Sequence, residues 1–99
     1  MGQQVFFLRT AAVLGALAVA LGAFGAHGLR ERLTADLLTT FEVGVRYHMY
    51  HALALLGLAL APQVLWASTA ASVAAWSWLT GVLIFSGSLY LLAMLDLRW

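Results

Sequence analysis

The chain has 99 residues with five arginines, no lysine and four acids, a formal net charge of +1; 64% of it is hydrophobic and only 9% charged, at a mean hydropathy of +0.93. A soluble surface needs far more charge than this, and no basic run exists to follow a phosphate backbone, which excludes nucleic acid as a partner. The absence of cysteine removes disulfides, thiolate metal sites and cysteine nucleophiles.

Three stretches, residues 10–28, 47–61 with its approach, and 62–95, carry no charge over lengths at or near the roughly 20 residues that cross a bilayer core of about 30 Å. The expectation is an all-α integral membrane bundle forming one domain over 1–99. Its three transmembrane helices fall at about residues 6–27, 35–61 and 72–96, with an amphipathic interfacial segment leading into the second.

The first stretch also has the outline of a signal peptide, with Arg9 before an apolar run and the triplet Ala16-Leu17-Ala18 behind it. A cleaved leader would leave two membrane-length segments, so a retained helix is the expectation. Myristoylation is excluded, because Phe6 stands where Ser or Thr is needed. Ala11, Gly15, Ala18, Gly22 and Gly25 recur at intervals of four and three, which makes a small-residue stripe and a packing face in lipid. Leu14, Leu17, Leu21 and Phe24 form the larger stripe beside it. Gly28 is expected to end the helix in a left-handed cap, which places His27 at the membrane surface.

Thr34 is the expected N-cap of the second helix, with Asp36 in its first turn. No breaker follows until Pro62. Leu37, Phe41, Gly44, His48, His51, Leu55 and Leu58 fall at alternating steps of four and three, a seam that carries both histidines towards partner helices. Glu42 and Arg46 form an i,i+4 pair on the opposite face, where they reach headgroups or water. Tyr47 stands one turn before His51, within stacking or hydrogen-bonding reach.

Pro62–Ala75 reads as a loop and the approach to the third helix. Trp76 and Trp78 mark one interface and Trp99 the other. Ala74, Ser77, Gly81, Ile84 and Ser88 make the expected seam of this helix, and Ser86, Ser88 and Tyr90 are its polar patch. Arg30, Arg32, Arg46 and Arg98 against Arg9 put the C-terminus in the cytoplasm and the N-terminus outside.

Leu21–Leu29 (LGAFGAHGL), Thr40–Leu56 (TFEVGVRYHMYHALALL) and Phe85–Trp99, which ends in LRW, resemble the DUF423 family of small multi-pass membrane proteins. The resemblance implies a compact bundle in the bacterial cytoplasmic membrane without assigned chemistry. Its members continue beyond the arginine-tryptophan pair into a fourth transmembrane helix, whereas this chain ends at Trp99. That departure implies a truncation, or a missing wall supplied by another subunit.

His27, His48 and His51 lack an intramembrane acid or thiolate to complete a metal or haem shell. FSGSL around Ser86 and Ser88 lacks the nucleophile elbow of a hydrolase. The function expected is therefore a non-enzymatic structural, assembly or accessory protein that needs no cofactor. Its partners are the lipid bilayer and a second copy or another membrane protein. The alternatives are a small channel or proton carrier using His48 and His51 and, behind it, haem or metal binding.

Overall fold

A computed structural model describes residues 2–97, with side chains over 2–95; the expectations for Arg98 and Trp99 lie outside the described residues. Four α-helices follow one another, α1 (Gly2–Phe24), α2 (Ala35–Ala59), α3 (Gln63–Trp66) and α4 (Thr69–Leu97), and a π-helical turn, Gly25–Leu29, extends α1. Among the described residues there is no strand. Gly2–Leu29 and Thr69–Leu95 are each long and apolar enough to cross a bilayer. Both pack along α2, antiparallel to it, in a body of 49 × 19 × 16 Å.

The start and the stop of α2 each have a local cause. Thr34 is the N-cap of α2, its hydroxyl accepting from the Leu37 N–H at 3.2 Å. At the far end of α2, side chains of other helices satisfy the last carbonyls. The Gln4 amide donates to Ala59 O at 2.8 Å and Ala61 O at 2.9 Å, and the Trp66 indole to Leu58 O at 3.0 Å. Pro62 then prevents continuation, and α3 occupies what the sequence suggested was loop.

The expected left-handed cap at Gly28 is not formed. No described glycine has a positive φ, and the chain leaves through Arg30 in ordinary right-handed geometry. Gly28 is needed for space instead: a Cβ there would stand 2.8 Å from the Phe24 ring. The wider π turn tucks that ring against the following glycine.

Helical period explains which seams differ from expectation. The buried line of α2 is Phe41, Gly44, His48, Ala52, Leu55 and Ala59, an average step of about 3.6 rather than the 3.5 of a heptad. Ala52 therefore takes the inward place expected for His51, which is only half-buried. On α1 the buried line is Phe7, Ala11, Leu14 and Ala18, continued by Gly25 and Leu29. On α4 it is Ala71, Ala75, Val82, Ser86 and Ala93. The small-residue seam expected there is turned away by about one position, with Ser77, Ile84 and Ser88 exposed. In a helix that is apolar all round, composition gives the period little contrast, and the shapes of opposing side chains decide the face.

Two clusters result. One joins Phe7, Ala11, Leu14, Ala52, Leu55, Ala59, Ala75 and Val82; the other gathers Leu29, Leu33, Phe41 and Ala93 at the opposite end. Phe7 is wholly buried beneath Phe6, Trp66 and Trp76, with ring centroids 5.0 to 5.8 Å away.

Substitution at the glycines should separate contact from bystander. Gly44→Ala puts a methyl 2.9 Å from the Tyr90 ring and 3.3 Å from Leu89 Cβ, and should lower stability by about 1–3 kcal/mol. Gly15→Ala and Gly57→Ala meet nothing within 4 Å and should be neutral or stabilising by up to about 1 kcal/mol through helix propensity. Unfolding of the reconstituted protein measures both.

Candidate functional site

The polar groups that the sequence singled out divide between an inner node and an outer face. The node is built from two pairs, each one helical turn apart: Gly44 and His48 on α2, Ser86 and Tyr90 on α4. The Tyr90 ring lies over Gly44, close enough that only hydrogen fits between, and its hydroxyl reaches His48 Nδ1 at 2.8 Å. Ser86, 1% exposed, crosses in the other sense and donates to the Gly44 carbonyl at 2.8 Å. Phe41 packs on the far side of Tyr90 with ring centroids 5.2 Å apart. Its ring fills the space left by Gly25, where a Cβ would approach to 2.9 Å. Gly22 plays a lesser part, with Val45 at 3.4 Å.

His48 is 5% exposed, and its Nε2 has no hydrogen-bond partner. Leu14, Leu17 and Leu21 of α1 and Val82, Leu83 and Gly87 of α4 line a 220 Å³ cavity above the node. The inner node is thus a clamp between α2 and α4, with one imidazole nitrogen left over.

The outer face is a second line of contact between α2 and α4. Tyr47 meets Tyr50 and Phe85 edge-on, at centroid distances of 5.4 and 5.3 Å. His51 Nδ1 bonds to the Tyr47 carbonyl at 2.7 Å, so Tyr47 engages His51 through its backbone and not its ring. The other edge of that imidazole faces Gly81, with Nε2 3.6 Å from where a Cβ would stand. Tyr50, His51, Ala54 and Trp78 line a shallow 220 Å³ recess. Of the rings, Tyr47 is 42%, Tyr50 53% and Phe85 43% exposed.

The two histidines of the expected seam therefore serve different surfaces. His27 stands exposed on the π turn, and Glu42 and Arg46 are exposed on α2. Ser88 turns back to the Phe85 carbonyl at 2.8 Å, and a Cβ on Gly15 would meet nothing within 4 Å. Among the described residues no three metal-ligating side chains gather. The pattern passed over Tyr50, Trp78 and Phe85 on the outer face and Gln4 at the helix end. An available signal was the spacing of Tyr47, Tyr50 and Ala54, a second stripe one step off the seam.

Two helices of membrane-crossing length and apolarity, held to a third by apolar packing and by hydrogen bonds between α2 and α4, fit a membrane bundle. Residues 21–99 match the family described as "Protein of unknown function (DUF423)", and the chain belongs to that family, as the three motifs indicated. It is 42% identical over 88 residues to the UPF0382 membrane protein YwdK of Bacillus subtilis (strain 168), covering 89% of this chain and 72% of that protein. With a UPF0382 membrane protein of Haemophilus influenzae it shares 45% identity over 87 residues, 88% of this chain and 68% of the relative. With the UPF0382 inner membrane protein YgdD of Escherichia coli (strain K12) it shares 40% over 99 residues, 94% of this chain and 70% of the relative. No solved structure matches. Its place is the bacterial cytoplasmic membrane.

The two hydrogen bonds of the node should differ in worth. Ser86→Ala removes a donor from a carbonyl that keeps its own helical hydrogen bond, and should cost about 0.6 kcal/mol, the usual value within a bilayer. Tyr90→Phe leaves both imidazole nitrogens of His48 unpartnered and should cost about 1–3 kcal/mol. Unfolding of each variant in matched lipid gives the comparison.

Proposed function

We propose that the protein is a non-enzymatic accessory factor of the bilayer, which presents its outer aromatic face to a second copy or to another membrane protein. The observation that carries this reading is the division of labour among its polar side chains. His48, Ser86 and Tyr90 are consumed within the bundle by bonds to one another and to a helix carbonyl. Tyr47, Tyr50, Trp78 and Phe85 stand outward around His51. Tyr50 lies in α2 about 14 Å along the axis from the nearer helix end. Lipid tails offer its hydroxyl nothing at such a depth, and a helix of another subunit does.

The test uses a photo-crosslinking residue at Ala54, on the outer face, and at Ala52, in the interior. Position 54 should yield a stoichiometric adduct with a second copy or another membrane protein after mild-detergent extraction, and position 52 none. A protein that crosslinks only to lipid and is monomeric overturns the reading. So does proton flux in liposomes that vanishes in His48→Ala, since the unpartnered Nε2 is what a proton carrier would use.

The reading includes α2 as a third span, because it lies antiparallel between two helices of membrane-crossing length. It places α3 outside and the arginines Arg30 and Arg32 in the cytoplasm. Single cysteines in this cysteine-free chain check it. Gln63→Cys should react with an impermeant maleimide on intact cells, and Arg32→Cys only after permeabilisation. The reverse pattern overturns the orientation, and labelling of both from one side overturns the third span.

A further inference from the structure

Arg46 is exposed on α2, and its neighbours fix the depth at which it stands. A Cβ on Gly22 would lie 3.4 Å from Val45, and Ser86 donates to the Gly44 carbonyl, so Arg46 is level with Gly22 of α1 and Ser86 of α4. The next charge after Gly22 is Arg30, eight residues on, and the next after Ser86 is Asp96, ten residues on. They lie about 12 and 15 Å nearer the end of the bundle that carries the α1–α2 connection. Arg46 therefore belongs to the apolar slab that its neighbours define. An ionised side chain facing lipid there is costly and calls for a partner.

The face that carries it is turned away from the rest of the bundle. Arg46, Tyr50, Leu53, Gly57 and Leu60 are all exposed and recur at steps of four, three, four and three. They lie on the side of α2 opposite the buried line through His48 and Ala52. A helix packed between α1 and α4 would leave them uncovered. A Cβ on Gly57 would meet nothing within 4 Å, so the backbone itself is open to a neighbour. Glu42, also exposed, precedes Arg46 by one turn. Side chains lean towards the N-terminus of a helix, which brings the guanidinium to the level of that carboxylate.

The charges select the partner. To neutralise both groups it must offer an acid and a base at the same depth, one turn apart. An anionic headgroup answers the arginine and repels the glutamate, whereas a second copy supplies both. Copies inserted alike are related by a two-fold axis along the membrane normal, which sets each Arg46 beside the partner's Glu42. The alternation of four and three keeps two parallel helices in contact at a crossing of about 20°. We propose that the chain forms a two-fold dimer through this face of α2, with Arg46 of each copy paired to Glu42 of the partner subunit and the two helices in close approach at Gly57. The inference rests on the reading of the outer face as a protein contact, with which it shares Tyr50, and names the partner as a second copy.

The full chain carrying Leu53→Cys, dilute in liposomes, should oxidise chiefly to a disulfide-linked pair, since no native cysteine competes. Ile84→Cys, 68% exposed on α4, should remain largely unlinked. Within the Leu53→Cys chain, Glu42→Gln keeps the side-chain size and should slow linkage roughly tenfold, the scale of two interhelical polar contacts in a bilayer. Glu42→Arg and Arg46→Glu should each slow it at least as much when alone, and mixing the two chains should restore it, which a pair held within one helix could not do. Equal linkage at positions 53 and 84 overturns the proposal. So does linkage unaffected by Glu42→Gln, or a mixture of the inserted swap variants that links no faster than either alone. If the photo-crosslink at Ala54 captures another membrane protein while Leu53→Cys forms no pair, the dimer falls and the outer-face reading stands; if neither position finds protein, both fall.

Discussion

A polar atom inside a lipid-embedded bundle has no water to fall back on, and that constraint organises this protein around a missing methyl group. Because Gly44 has no Cβ, the Tyr90 ring can lie on the backbone of α2. Because the ring lies there, its hydroxyl reaches His48 and Ser86, one turn away, reaches the Gly44 carbonyl. The contact between α2 and α4 is thus set by three polar side chains and one glycine, in a helix pair whose remaining contacts are mostly apolar and individually nonspecific. Phe41 extends the same arrangement to α1 through Gly25, so one aromatic pair registers all three long helices.

The sequence shows the helices more plainly than the faces they use. Thr34 ends the connection after α1 as its residue type suggests, and the family motifs lead to the right relatives. The misplaced features share a physical origin. A heptad count carried over about six turns drifts from the 3.6-residue period, enough to exchange His51 for Ala52 on the buried line of α2. Along α4 nearly every residue is apolar or small, so periodicity has no polar face against which to measure itself, and Ser86 rather than Ser88 turns out to be the serine that crosses. Gly28 resembles a cap by position, yet the ring of Phe24 supplies a steric reason for it that only coordinates reveal.

The two ends of the bundle are built from different materials. Among the described residues the end with α3 is uncharged apart from Arg9, and it is closed by glutamines and packed rings, with Phe7 stacked on Trp66 and edge-on to Trp76. The other end carries Arg30, Glu31, Arg32 and Asp36 in and beside the connection between α1 and α2. Aromatic rings and amides suit the headgroup layer without strong attraction to either side of a membrane. Two arginines and two acids balance there and keep that end in water. The asymmetry gives the molecule a polarity that its apolar middle lacks.

Gln4 has a consequence for how the chain is made. Its amide closes the carbonyls of Ala59 and Ala61, partners that leave the ribosome more than fifty residues after it does. The end of α2 cannot complete its hydrogen bonding from its own neighbours, and α1, already inserted, holds the missing donors in waiting. The bonds that close this end of the α1–α2 hairpin thus need nothing from α4, which follows them in the chain. The hairpin is complete on that side and takes its second partner, α4, along His48 and Gly44.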